Sequence, residues 1–235
     1  MNHQKFPNFI IQDIHHDLIN ILPEQSGICV RKIDCDKKEH LDLYQKESFL
    51  TNKMSKKRLA DFSSGRLSVK SALLELNIRN FPLLINSNRS PAWPNSVVGS
   101  ISHSKNICIA AVNFNINSKA LGIDIETTNP LNTEVLPLIC NQSEILHLNS
   151  LAKNGFGDSF TNAKIIFSIK ESIFKCLNPH LGCWIDFKEM LITLNPQNKS
   201  YLATPKSENP LLTSLKPIKG YWFSNDYFHV SSCWI

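Results

Sequence analysis

Apolar residues recur along this chain at spacings that outline its elements. Residues 26–34, SGICVRKID, are short, rich in β-branched side chains and opened by Gly27, which predicts a strand. From 41 to 77, apolar residues return near helical spacing through LDLYQKESFL and KKRLADFSSGRLSVKSALLEL, predicting helix that Gly65 interrupts without ending. A polar, Pro-rich loop spans 77–95 and closes on PAWP. VVGSISHS and ICIAAVNF read as two strands joined by a turn at 104–106. NINSKA is polar and suits a linker, and LGIDIE returns as a strand. Helices are expected at 132–139, 143–153 and 160–177, the last being the clearest in the chain. Short strands at 190–194, 219–223 and 228–234 fill the C-terminal third, between Pro- and Asn-rich loops.

This pattern predicts an α+β protein. SKNICIAAVN in the first half resembles SNDYFHVSSCW near the end, and each half sets a long helix before such a strand. Two similar α+β halves are therefore expected, residues 1–118 and 119–235.

Composition narrows the class. A chain of 235 residues with 42% apolar and 19% charged content buries a core and is not disordered. The net charge of +5 is too small to mark a nucleic-acid binder, but it suits an anionic ligand or an acidic protein. Lys and Arg thicken between Lys53 and Lys70. The seven cysteines are odd in number and form no C-x-x-C pair, so reduced thiols are expected rather than disulfides or zinc. The first residues show no basic-then-apolar signal, and no apolar run approaches the ~20 residues of a bilayer span. A cytoplasmic protein without membrane contact is expected.

The candidate chemistry lies in two stretches. In LGIDIETTNP, alternation places Ile123 and Ile125 on one face of a strand and Asp124 and Glu126 on the other, their side chains starting roughly 7 Å apart. In IIFSIKESIFKCL, Lys170 falls inside the apolar arc of the helix, Glu171 lies at its edge and Lys175 one turn beyond. Each feature has an ordinary reading, a solvated strand face in one case and an i, i+4 Glu–Lys pair in the other. Together they offer three carboxylates with no accompanying His or Cys cluster, a donor set that suits Mg²⁺. Lysines beside such a metal suit a phosphorylated substrate.

GIDIE (122–126) and FSIKESIFK (167–175), preceded by RLADFSSGR (58–66) and PAWPNSVVGSISHS (91–104), resemble the four ordered motifs of the 4'-phosphopantetheinyl transferases of the surfactin and enterobactin type. The resemblance covers about Arg58 to Leu177. Asp61 stands where that family usually has Glu, and residues before 58 and after 177 match no quoted motif.

The resemblance implies two halves in pseudo-twofold arrangement around one cleft, the first binding the nucleotide of coenzyme A and the second carrying magnesium and catalysis. It implies transfer of the phosphopantetheine arm of coenzyme A onto a serine of an acyl or peptidyl carrier protein, with release of 3',5'-ADP. Siderophore, other nonribosomal peptide, polyketide and fatty-acid synthesis all use such carriers, and the pathway stays open. The implied metal ligands are Asp124, Glu126 and Glu171. Glu171 or a metal-bound water would be the base, and Lys170 and Lys175 would steady the phosphates. Arg58, Arg66 and Arg89, with Ser102 and His103, are the implied contacts to coenzyme A. Trp93 and Pro94 suit an adenine pocket or the core equally. His15, His16, His147, His180 and His229 show no partnered spacing and carry no assignment. A monomer is expected, since both halves belong to one chain. A relative that binds without turnover is the main competing reading, and the presence of all three carboxylates and both lysines weighs against it.

Overall fold

The computed structural model describes residues 9–206 and 208–235. The chain forms two compact units, Met1–Asn117 and Ser118–Ile235, each combining an antiparallel sheet with helices. The fold is α+β, as the sequence pattern predicts.

In the first unit, helix α1 (Phe9–Ile21) buries Ile10, Ile14, Leu18 and Ile21 on one face and packs against strand β1 (Gly27–Lys32). This helix was not anticipated, because Asp13 and the two histidines break the apolar run when it is read linearly. On a 3.6-residue period those polar residues fall away from the buried stripe. The expected helix over 41–77 is divided. One short turn of helix, α2 (Gln45–Ser48), precedes α3 (Lys56–Glu75). Between them Lys53 adopts φ +65°, which no helix tolerates, and Ser55 restarts the helix by accepting the Arg58 N–H at its N-cap.

Strands β2 (Leu84–Ile85) and β3 (Pro91–Ala92) form a small ribbon. Strands β4 (Val97–Ser104) and β5 (Ile107–Phe114) form the expected hairpin, turning through Lys105 at φ +50°. The sheet order is β1-β5-β4, and α3 packs across it.

The second unit opens with β6 (Leu121–Thr127). Helices α4 (Leu136–Ile139), α5 (Gln142–Lys153) and α6 (Ser159–Leu181) follow. The expected helix at 132–139 is thus a single turn. Helix α6 starts where Asp158 accepts the Phe160 and Thr161 N–H groups, and it stops at Gly182, whose φ of +68° is left-handed. Strands β7 (Met190–Asn195) and β8 (Ser200–Pro205), the turn α7 (Pro210–Thr213), and strands β9 (Ile218–Ser224) and β10 (Phe228–Trp234) complete the chain. The five-stranded sheet runs β6-β10-β9-β8-β7. Strand β8, SYLATP, escapes a sequence reading because its small and hydroxyl residues resemble a loop.

The units repeat one topology. In each, the first strand pairs with the last, the last pairs with the strand before it, and a long helix packs over that sheet. A glycine near the start of each first strand lies against that helix. A methyl group on Gly27 would collide with the Ala72 carbonyl oxygen, and one on Gly122 would collide with the Ser172 carbonyl oxygen. Matching on those contacts aligns GICVRK with GIDIET and SVKSALLE with SIKESIFK. Cys29, Arg31 and Ser71 then stand in the first unit where Asp124, Glu126 and Glu171 stand in the second.

Candidate active site

The candidate site of the second unit is built from one strand and one helix. Residues 121–125 of β6 are all buried, with Ile123 and Ile125 fully so. Gly122, Asp124 and Glu126 share the face that meets α6. Helix α6 answers with Lys164, Glu171 and Lys175, whose spacings of seven and four keep them on one stripe. Lys175 Nζ donates to Asp124 Oδ1 at 2.7 Å, and Lys164 Nζ donates to Glu126 Oε2 at 2.6 Å. Asp124 is 3% exposed.

Glu171 lies between these pairs in the helical stripe. Burial pushes its carboxyl above the usual range; Lys175 opposes this, and Asp124 and Glu126 add to it. Glu126 is raised chiefly by burial, with Lys164 pulling down and Asp124 pushing up. Asp124 and Glu126 thus both act on Glu171, and Asp124 acts on Glu126. Their oxygen-only chemistry and the repulsion among one buried and two part-buried acids fit a divalent cation of the magnesium type. Among the described residues, no three acidic, histidine or cysteine side chains already converge as a ligand set.

Lys170 departs from expectation. Its ammonium lies 2.7 Å from Glu144 Oε2 and 2.8 Å from the Ile139 carbonyl oxygen, with 1% of the side chain exposed. Glu144 also accepts the Ile192 and Asn141 N–H groups, tying α5, α6 and β7 together. Burial depresses the lysine pKa and Glu144 opposes the shift. A lysine one residue from Glu171 points about 100° away around the helix, so Lys170 braces the core and is withdrawn from the phosphate-steadying role.

His229, to which sequence spacing gives no role, belongs to this neighbourhood. In the β6–β10 register it stands opposite Glu126. Its Nδ1 is 2.6 Å from Ser224 Oγ, while its buried Nε2 has no protein partner. Burial first, then Lys164, lower its pKa to about 4, so the ring is neutral near pH 7. Only strand pairing reveals this residue. Lys164 was legible in principle, since it sits two helical turns before Glu171.

The residues expected to hold coenzyme A all lie in the first unit. Arg58 is exposed in the first turn of α3. Arg66 is buried two turns on, stacked 4.4 Å over the Phe62 ring, with its Nε unbonded within the protein. Burial lowers its pKa, and of its charged neighbours Glu47 opposes the shift while Arg58 adds to it, so the two guanidinium groups lie within electrostatic reach. Arg89 is at the exposed tip of the β2–β3 ribbon with φ +67°. Ser102 is buried in β4, and His103 next to it is exposed. Trp93 packs on the core of this unit, over Gly99, where a methyl group would meet the indole at 2.8 Å.

Residues 45–113 match the family described as the 4'-phosphopantetheinyl transferase N-terminal domain, and residues 120–228 match the 4'-phosphopantetheinyl transferase superfamily. The chain belongs to this superfamily, whose members transfer phosphopantetheine from coenzyme A to carrier proteins.

Among individual proteins, it is 30% identical over 186 residues to the 4'-phosphopantetheinyl transferase Svp of Streptomyces mobaraensis, covering 78% of this chain and 75% of that one. It is 28% identical over 201 residues to Npt of Nocardia iowensis, covering 81% and 88%. Enterobactin synthase component D of Salmonella typhi is 35% identical over 127 residues, about half of each chain (52% and 50%).

Proposed function

We propose that this chain moves the phosphopantetheine arm of coenzyme A onto a carrier-protein serine using the charged stripe of α6 and the acidic face of β6. The serine oxygen attacks the β-phosphorus. A new O–P bond forms as the bond to the bridging oxygen breaks, and 3',5'-ADP leaves. The observation that carries this reading is the pairing of Lys175 with Asp124, with Glu171 one turn before Lys175 on the same stripe.

Asp124, Glu126 and Glu171 would hold Mg²⁺, which supplies charge neutralisation at the diphosphate. Glu171, its proton affinity raised by burial, is suited to take the serine proton directly or through one water. Lys175 steadies negative charge that develops on the phosphoryl oxygens. In the first unit, Arg58, Arg66 and Arg89, with Ser102 and His103, are assigned to the phosphates of coenzyme A, where guanidinium forks bind well.

The deciding experiment incubates the chain with labelled coenzyme A, Mg²⁺ and a panel of apo carrier proteins, read by mass. Asp124→Ala should lower transfer at least about 100-fold while circular dichroism stays unchanged. Wild-type transfer by that variant would overturn the assignment of the acids.

A further inference from the structure

Lys164 has no place in the reaction as described, yet its contact is the shorter of the two ion pairs on β6. Its ammonium lies 2.6 Å from Glu126 Oε2 and 4.9 Å from the centre of the Phe167 ring, with 15% of the side chain exposed. The aromatic face favours a cation at that point, and partial burial strengthens that attraction. Phe167 is itself packed against Phe187, at 5.7 Å between ring centres, so the platform beneath the lysine is fixed. Across the facing stripes of the two elements, three carboxylates, Asp124, Glu126 and Glu171, meet two ammonium groups, Lys164 and Lys175.

We infer that Lys164 is a built-in rival cation for Glu126, and that it sets how tightly the acidic site takes up a divalent ion. The inference rests on the reading of these acids as metal ligands. A divalent ion drawn to Glu126 meets a positive charge already held on that carboxylate. It must either displace the ammonium or sit within a few ångströms of it, and both weaken its binding. The opposite role, a lysine that fastens one oxygen of Glu126 so that the other can serve the metal, predicts the opposite sign.

The test is a titration of the full-length protein with Mn²⁺, following free Mn²⁺ by electron paramagnetic resonance. Wild type is compared with Lys164→Met, Lys164→Arg and Asp124→Asn, and thermal melts confirm that each is folded. Removing the charge should tighten Mn²⁺ binding about tenfold in Lys164→Met, while Lys164→Arg stays near wild type. Binding that is unchanged or weaker in Lys164→Met overturns the inference and leaves the metal assignment standing, provided Asp124→Asn loses the ion. If Mn²⁺ binding to wild type and Lys164→Met is absent, or is indifferent to Asp124→Asn, the metal assignment falls and takes the inference with it. Binding seen only in Lys164→Met is the strongest form of support.

Discussion

Burial and the nearby Lys164 push the His229 imidazole down to about 4, against 6.5 for an ordinary histidine. The depressed value means that the folded state resists a proton the unfolded chain accepts. Its stabilising effect is therefore complete above pH 6.5 and drains away as pH falls toward 4, by up to about 3 kcal/mol. Urea unfolding at pH 7.5 and 4.5 should show a smaller stability difference in His229→Asn than in wild type, by about 2 kcal/mol. Equal differences would show that the ring titrates normally. Lys170 and Glu144 give a second prediction at this scale. Lys170→Met leaves the Glu144 carboxylate buried without its cation and should cost about 3–5 kcal/mol by chemical denaturation. Adding Glu144→Gln should recover part of that loss.

At the residue level, the paired carboxylates of β6 and the K-E-S-I-F-K run were plain in the sequence because their spacing alone places them. The partners of Lys170 and His229 were not, because Glu144 lies 26 residues from Lys170, and His229 meets Glu126 only through strand register.

Helices and strands show what governs the site's dimensions. The contact between β6 and α6 at Gly122 is so close that an added methyl group would lie 2.6 Å from the Cys176 nitrogen. Backbone atoms cannot rotate aside, so Gly122→Ala should force α6 outward at a cost of about 3 kcal/mol or more. It should also cut transfer, because Glu171 and Lys175 move with the helix. Melting temperature and transfer rate would both fall; a variant with unchanged melting would refute the closeness of the contact. Gly182→Ala is the control, since nothing lies within 4 Å and only the φ of +68° resists substitution. That change should cost about 1 kcal/mol and leave transfer intact.

Most elements were legible, because periodicity dominates in β4, β5, β6, α5 and α6. Three of the departures have separate physical causes. Helix α1 places its polar residues on the outer face, where linear reading mistakes them for breaks. The 41–77 segment hides a left-handed residue at Lys53. Strand β8 is held by neighbours such as β9 and by Tyr201, whose hydroxyl donates to the Ser232 carbonyl, and owes little to its own propensity.

For the molecule as a whole, a charge of +5 favours encounter with an acidic carrier protein. Stopped-flow association should slow several-fold between low and high ionic strength, and an unchanged rate would exclude electrostatic steering. Among the described residues no helix is long and apolar enough to cross a membrane, and all seven cysteines are free thiols.

The repeated topology has a practical consequence. The first unit builds the same strand–helix frame with a thiol, a guanidinium and a hydroxyl at the three acid positions. The chain thus carries its own control experiment, a copy of the scaffold that stands without those charges. Neutral substitutions at Asp124, Glu126 and Glu171 should accordingly yield well-folded, inert protein, and a carrier mixed with such a variant becomes a direct probe of docking with turnover switched off.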